Sequence, residues 1–480
     1  MQKKIIFIFC TRLFDFRYLK STNIIDHLSK NLDIILFVDY RHKNLIEKSL
    51  NYKYKVKSIL YKEEEYERGS KNLSYNLCKL IQLIFSFTYA NLKIKENRTR
   101  KLHVNSFLLK RKKVSFFKFI FSYLIIILSK LACELSLFRQ FLQYIFSLFA
   151  PKIKHQEDFI KYNPISCLFC SFGFGIDTLL MHECKENKVK IITAVQSWDK
   201  TSSKGFPIVK PDYAIVWSKI NKIETQTFLD FPKEKIFVEG APLWDLYFTR
   251  KYKSKKGFMK KFGLNQKNKL ISFSIGSPSY HEGNKKIIYF FQRLRKKFEL
   301  NNISIILREH PGYINYKKEY HDLQKSLKSL LSYRNFVFMK LEPDQNNEIY
   351  LYKEADSKQL VDMFNVCDLS ISIVSSHMIE ASILDKPSIN IEFGKWFNSM
   401  YDFELKNYTA EHIMRVYETN AIYRANNERD LESFIFYIIK NPNEKKYERK
   451  RLIEQEITVN RGFAAKAVAS RIYKLSLKEN

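Results

Sequence analysis

Residues Asp368–Phe393 read DLSISIVSSHMIEASILDKPSINIEF. Asp368–Val374 is a short apolar run of strand length, His377–Leu384 carries its apolar residues at helical spacing, and Ser388–Glu392 is apolar again. A strand, a helix and a second strand packed this closely form a βαβ unit, which obliges the two strands to run parallel. The same rhythm extends upstream: Leu270–Ile275 predicts a strand, Lys285–Leu300 a helix, Ile303–Leu307 and Phe336–Met339 strands, and Ser357–Asn365 a helix. Downstream, helices are expected from about Arg429 to the end.

The first half repeats the pattern. Lys4–Phe9 is a strand, Asn23–Leu32 has helical spacing and Ile34–Val38 is a second strand. Leu73–Phe87 predicts an amphipathic helix, and the basic Lys93–Lys113 a surface loop. Further strands are expected at Ile165–Cys170, Lys190–Val195, Tyr213–Trp217 and Lys235–Val238, with helices over Ile176–Lys185 and Lys219–Phe228. Between the halves lies RKYKSKKGFMKK, residues Arg250–Lys261. The expected organisation is α/β, with two Rossmann-like doubly wound domains: residues 1–249, a linker at 250–261, and 262–480 with the terminal helices. Two such domains should face a central cleft, with ligands at the carboxyl ends of the strands.

Residues 114–150, VSFFKFIFSYLIIILSKLACELSLFRQFLQYIFSLFA, interrupt the first domain as a hydrophobic helical insertion. Its longest uncharged runs, Phe119–Ser129 and Gln140–Ala150, are too short for a spanning helix, which needs about 20 apolar residues. Two readings remain: helices lying in the bilayer interface with Lys and Arg snorkelling outward, or a pair of core helices. The formal net charge of +32 reads either as compositional bias of a Lys-rich, AT-rich genome or as attraction to a polyanion, for which an anionic membrane, at its inner face, is the expected partner. No nucleic-acid-binding motif accompanies that charge, so nucleic acid is not an expected partner. Arg12 cuts the first apolar run too early for a signal-peptide core. The seven scattered cysteines suggest reduced thiols in a cytoplasmic protein. Cys167 and Cys170 would lie on opposite faces of a strand, so no metal site is expected there.

Candidate site residues fall at predicted strand ends. Arg308 and His310 follow the strand Ile303–Leu307; guanidinium can fork onto phosphate, and imidazole can donate a hydrogen bond or shuttle a proton. Ser375 and Ser376 begin a helix, where they could cap it or leave amides facing a diphosphate. Glu380, one turn in, could accept both hydroxyls of a ribose. Gly276 and Ser277 follow another strand, where glycine lets the backbone approach phosphate closely. In the first half, Lys190–Val195 delivers Gln196, Ser197, Trp198, Asp199 and Lys200, followed by Lys204 and Gly205. Asp199 is the preferred general base toward an acceptor hydroxyl, with Asp177 as the alternative. Gln196 and Trp198 line the acceptor side, and Lys200 or Lys204 could hold a phosphate.

Together, QSWDK, VEGAPLWD, REHPG and SSHMIEA resemble bacterial GT-B enzymes of surface polysaccharide assembly, including capsule and teichoic-acid transferases of the CDP-glycerol glycerophosphotransferase kind. The stretch VCDLSISIVSSHMIEASILDKPSINIEF is also similar to the donor region of glycosyltransferases and nucleotide-sugar 2-epimerases. The resemblance implies a nucleotide-activated sugar as donor, with Glu380 on the ribose and Arg308 and His310 in a loop flanking the active site; the strand-end reading adds Gly276, Ser277, Ser375 and Ser376 to the donor side. The expected mechanism is direct transfer to a saccharide or lipid-linked acceptor, with Asp199 and His310 as catalytic groups; no DxD stands at the assigned positions, so no metal or cofactor is expected. Asp199 stands where the glycerophosphotransferases carry histidine, and SSHM replaces the epimerases' glycine-rich turn. Glycosyl transfer is therefore expected, with glycerophosphate transfer, 2-epimerisation and non-catalytic nucleotide-sugar binding as alternatives.

Overall fold

The computed structural model describes residues 3–59, 73–93, 95–112, 115–151, 155–341, 354–393 and 409–478. Ile94, Lys113 and Val114, at the edges of two sequence segments above, lie outside them. The chain forms two compact units: Met1–Asp245 with Ile457–Asn480, and Leu246–Glu456.

The first unit holds strands β1 (Lys4–Cys10), β2 (Leu32–Val38), β3 (Lys55–Ser58), β4 (Ser166–Phe169), β5 (Lys190–Ala194), β6 (Tyr213–Val216) and β7 (Ile236–Val238). They form one sheet in the order β3-β2-β1-β4-β5-β6-β7, every pairing parallel. Helices cover both faces of such a sheet, so its central strands are apolar throughout rather than alternating; Ile6–Cys10 is accordingly buried at every position. Phe9 stacks on Phe37 and on Phe169 at centroid distances of 4.9 and 4.8 Å, an aromatic ladder across β2, β1 and β4.

The second unit holds β8 (Lys269–Ser274), β9 (Ile303–Arg308), β10 (Phe336–Met339), β11 (Leu369–Ser372), β12 (Ser388–Ile391) and β13 (Ile422–Ala425). The order is β10-β9-β8-β11-β12-β13, again all parallel. Both doubly wound sheets expected from the sequence are present.

Three boundaries differ from the sequence reading. Arg250–Lys261 is not a linker: Lys255–Lys261 is a helix capped by Ser254, with Phe258 and Met259 buried. Arg250 and Lys255 are tied to Asp362 and Asp368 of the second unit. Its lysines disguise two apolar anchors, and the chain passes between units at Asp245–Leu246 instead. The last helix, Ala464–Leu477, belongs to the first unit, where it packs on helix Ile24–Leu28. Asp245 accepts from the Ala464 and Ala465 amides at 2.9 and 2.8 Å, stabilising the positive end of that helix. Amphipathic periodicity shows that a helix covers a core, not which core. Finally, the expected basic loop contains a helix, Arg98–Lys112, packed beside Phe116–Glu134; its dense charge hid a sparse apolar face.

All seven cysteines are free and buried. Cys184 meets Cys167 rather than Cys170, and burial raises its thiol well above the usual range.

Burial also raises the Glu183 carboxyl to about 7, although the His155 amide donates to it at 2.9 Å. An acid whose folded pKa lies above its unfolded value favours the fold in its protonated form. That contribution is complete below about pH 4.5, falls away as pH rises through 7, and is then constant. Urea unfolding of Glu183→Gln should therefore show a flatter stability profile between pH 5 and 8 than the native chain, by about 2–3 kcal/mol.

Candidate functional site

In each sheet the winding reverses at one place: between β1 and β4 in the first, between β8 and β11 in the second. Loops leaving the carboxyl ends of the two strands diverge there and open a crevice. Both crevices are lined by ionisable side chains.

In the second unit, the loops after β8, β9 and β11 touch. A Cβ placed on Gly276 would lie 3.2 Å from the Ile373 side chain, and one on Gly312 2.9 Å from the Pro278 ring. Asn284 clamps the first loop, accepting from the Gly276 amide at 2.9 Å and donating to its carbonyl at 3.0 Å. Ser277 and Ser279 bond to each other through their hydroxyls. After β11, Val374 adopts φ +35°, a conformation that β-branched residues rarely enter. The Asn390 side chain holds it there, accepting from the Val374 amide at 2.7 Å. The distorted turn delivers Ser375 and Ser376 to the short helix His377–Ile383.

Glu380 is the centre of this group. Tyr247 Oη donates to its Oε2 at 2.6 Å and Ser376 Oγ to its Oε1 at 2.8 Å, while His377 Nε2 lies 3.9 Å away. Ser375 plays a different part, its hydroxyl accepting from the His377 amide at 3.2 Å. Burial, reinforced by Glu380, raises the Tyr247 phenol well above its usual range, so it remains a donor. Burial lowers His377, Arg308 adds to the effect and Glu380 opposes it, which favours a neutral ring. A carboxylate has about four acceptor positions; these two hydroxyls leave Glu380 capacity for further donors.

Arg308 is the last residue of β9 rather than part of the loop, and only 5% of its surface is exposed. Its guanidinium stands 3.4 Å from the buried Asp356 carboxylate. His310 is half-buried and fixes its own turn, Nδ1 accepting from the Gly312 amide at 2.9 Å. Arg308, His377, Tyr247 and Glu380 therefore form one electrostatic group, with His310 on the adjoining loop.

In the first unit, the crevice between β1 and β4 holds Arg12, Asp15 and Asp177. Arg12 forks onto Asp15 at 3.1 and 3.2 Å and reaches Asp177 at 3.4 Å. Thr11 donates to Asp177 at 2.6 Å, and Ser171 donates to the same carboxylate. Burial and then Asp177 raise the Asp15 carboxyl, against the lowering influence of Arg12. Arg12 and Asp15 were not recognised in the sequence. The available signal was Thr11-Arg12 emerging from a buried central strand, which reads only as the end of an apolar run until the strand order is known.

The segment after β5 lies beside this crevice. Both Asp199 oxygens accept from serines of its own loop, Ser197 and Ser203, the latter at 2.9 Å. Trp198 is buried, its carbonyl accepting from Asn221 Nδ2 at 2.9 Å, so it packs under the loop. Gln196 is buried, with its amide oxygen unbonded among the described residues. Burial lowers the Lys200 ammonium; Lys204 and Arg12 lower it further, while Asp199 and Asp15 oppose them. Lys200 thus belongs to the Arg12–Asp15 group, whereas Lys204 is exposed.

Among the described residues, His281, Glu282 and Asp322 bring potential metal-ligand atoms within 4.8 Å of one another. Lys285 already pairs with Asp322 at 2.8 Å and Glu282 at 3.4 Å, supplying positive charge where a metal would sit.

No family model and no curated protein matches this sequence. Solved structures do share its fold. A glycosyltransferase from Rickettsia africae ESF-5 is 11% identical, with both chains covered completely and a TM-score of 0.53. S. aureus MnaA in its UDP co-structure is 12% identical, covering 99% of this chain and 98% of its own, with a TM-score of 0.51. A UDP-N-acetylglucosamine 2-epimerase is 11% identical, covering 100% and 98%, with a TM-score of 0.53. The fold is GT-B, with its two Rossmann-like domains.

Gly205 anchors the Gln196–Gly205 segment. Its φ is +87°, its amide donates to Tyr89 Oη at 3.0 Å, and an added Cβ would lie 2.4 Å from the Phe85 carbonyl oxygen. Gly205→Ala should cost about 3 kcal/mol in chemical denaturation, because the contact is with backbone and the dihedral is unfavourable. A surface-type change of under about 0.5 kcal/mol would contradict this anchoring.

Proposed function

We propose that the chain is a nucleotide-sugar transferase, moving a glycosyl group from a nucleotide-activated donor to a saccharide or lipid-linked acceptor in surface polysaccharide assembly. The observation that carries this reading is Glu380, a buried carboxylate oriented by Tyr247 and Ser376 at the point where the second sheet reverses its winding. A fixed acceptor with unused lone pairs suits the adjacent hydroxyls of a ribose. Fold-level likeness to a glycosyltransferase and to a UDP-bound structure supports it by analogy.

In this reading the second unit holds the donor. Arg308, buried against Asp356, supplies positive charge from behind the diphosphate and His310 faces it, with Gly276, Ser277, Ser375 and Ser376 supplying backbone and hydroxyl groups. As the glycosyl bond breaks, negative charge grows on the leaving diphosphate, and a cation and preorganised donors stabilise it. The first unit serves the acceptor: Lys200 and Lys204 position it, Gln196 and Trp198, both buried, support their loop from within, and Asp199 removes its proton. Direct transfer of this kind needs no cofactor besides the donor.

A second reading, nucleotide-sugar 2-epimerisation, is favoured by Asp15 and Asp177. Two carboxyls sharing Arg12, one of them raised by burial, offer an acid and a base without any acceptor.

Thermal-shift titration of the full chain with UDP-, GDP-, CDP- and CMP-linked donors should show stabilisation by one nucleotide class. Glu380→Gln should weaken that binding about tenfold, roughly 1.4 kcal/mol, with an unchanged circular-dichroism spectrum. Absence of any nucleotide response would sink the donor-site reading. Formation of ManNAc or UDP-ManNAc from UDP-GlcNAc without acceptor would select the epimerase.

A further inference from the structure

Helices Phe116–Glu134 and Ser136–Phe149 of the first unit carry their amphipathicity the wrong way round for core helices. The first buries Ser122, Ile125, Ser129, Ala132 and Cys133, mostly small residues. Its large apolar side chains point outward: Phe117, Ile120, Leu124, Ile127 and Leu131 form an exposed stripe, with Phe117 exposed to 83%. On the second helix Leu137, Phe141, Tyr144 and Leu148 recur at one-turn spacing and are all exposed. Its opposite side is fastened to the protein: Phe146 is buried, and Gln143 donates to the Ile208 carbonyl at 2.8 Å. Contiguous apolar exposure of this breadth marks an interaction surface rather than ordinary scatter.

The charges around this surface indicate its partner. Lys118 and Lys130 are exposed on the first helix, where Glu134 is the only acidic residue. The neighbouring segment exposes Lys93, Lys95, Arg98 and Lys101, against the single acid Glu96. A broad apolar face edged by cations complements the acyl region and phosphates of an anionic bilayer. Tyr123 and Tyr144, both exposed, suit the boundary between the two.

The uncharged runs alone are too short to span, but the helix Phe116–Glu134 continues through Lys118 and Lys130 and as a whole is long and apolar enough to cross a membrane, which corrects the expectation from the sequence. Its buried residues, however, recur along the helix from Ser122 to Cys133, so the protein covers one side of it over most of its length. Lipid cannot surround a helix held in that way.

We propose that these two helices seat the protein on one leaflet of an anionic membrane, lying in the interface without spanning it. This inference is independent of the catalytic reading. The experiment is flotation of the full chain with vesicles of phosphatidylcholine alone or with 30% phosphatidylglycerol, before and after carbonate extraction at pH 11. The native chain should float with the anionic vesicles at least tenfold more than with the neutral ones, and carbonate should release it. Phe117→Ser/Leu124→Ser/Phe141→Ser should lose at least tenfold in bound fraction. Lys118→Glu/Lys130→Glu should bind less and lose its preference for anionic lipid. Circular dichroism and thermal melting should match the native chain in both variants, as the altered residues are exposed. Carbonate-resistant insertion would overturn the proposal in favour of a spanning helix. A soluble dimer that the serine substitutions dissociate, together with no vesicle binding, would assign the face to a second copy. Binding unchanged by the serine substitutions would also overturn it.

Discussion

Every strand in both sheets runs parallel to its neighbours, and the rest of the molecule follows from that alignment. Parallel strands cannot be joined by tight turns, so the connections are long crossovers; most carry a helix that covers a face of the sheet, while the one from β5 to β6 is the irregular segment that holds Gln196–Gly205. Both faces become buried, and all carboxyl ends emerge on one edge. The side chains free to do chemistry are then those just beyond the apolar runs. Where winding reverses, adjacent loops part, which is why Arg12 and Asp177 meet in one unit, and why in the other the end of β9 and the helix after β11 bring Arg308 and Glu380 to the same group around Tyr247.

Much of this was legible in residue pattern because buried parallel strands are continuous apolar runs. FIFC, ISIILR and SISIV announce themselves, and the polar residues immediately after them mark loops. The unread parts have physical causes. The edge strands Lys55–Ser58 and Ile422–Ala425 are four residues long and partly exposed, and offer no apolar run. Asp15 lies inside the helix Leu13–Ser21; its bond to nearby Arg12 reads as an ordinary local ion pair, and only Asp177, more than a hundred positions away, shows that the pair lines a crevice. Tyr247 gives no sequence signal at all, since its importance lies in a hydrogen bond to Glu380. Arg308 and His310 could be placed at a strand end, but not how deeply: Arg308 is sequestered with Asp356, while His310 stabilises its own turn.

Strain has a clear local role. Glycine is the residue expected at a left-handed position after a strand, yet Val374 occupies one at φ +35°. The Asn390 side chain of the next strand accounts for this, because it captures the Val374 amide and is itself oriented by Tyr417 at 2.7 Å. The second crevice is thus shaped by packing between β11, β12 and the helix Glu411–Tyr417 rather than by glycine flexibility. A stiff turn keeps Ser376 within reach of Glu380, fixing the carboxylate in advance of any ligand.

The two crevices differ in the kind of ligand their electrostatics suit. Asp15 and Asp177 are carboxylates brought together around one guanidinium, and burial raises the proton affinity of Asp15. Such an arrangement favours holding or moving a proton. Glu380 stands among neutral donors, with a raised phenol on one side and a histidine kept neutral on the other. That environment leaves the carboxylate as an acceptor for uncharged hydroxyls, while Arg308 supplies positive charge nearby. The difference is one of side-chain environment: two carboxylates about a guanidinium in one crevice, a single carboxylate among hydroxyl donors in the other. It arises because one central strand ends in Thr-Arg beside two aspartates, whereas the other site surrounds a single glutamate with hydroxyl groups.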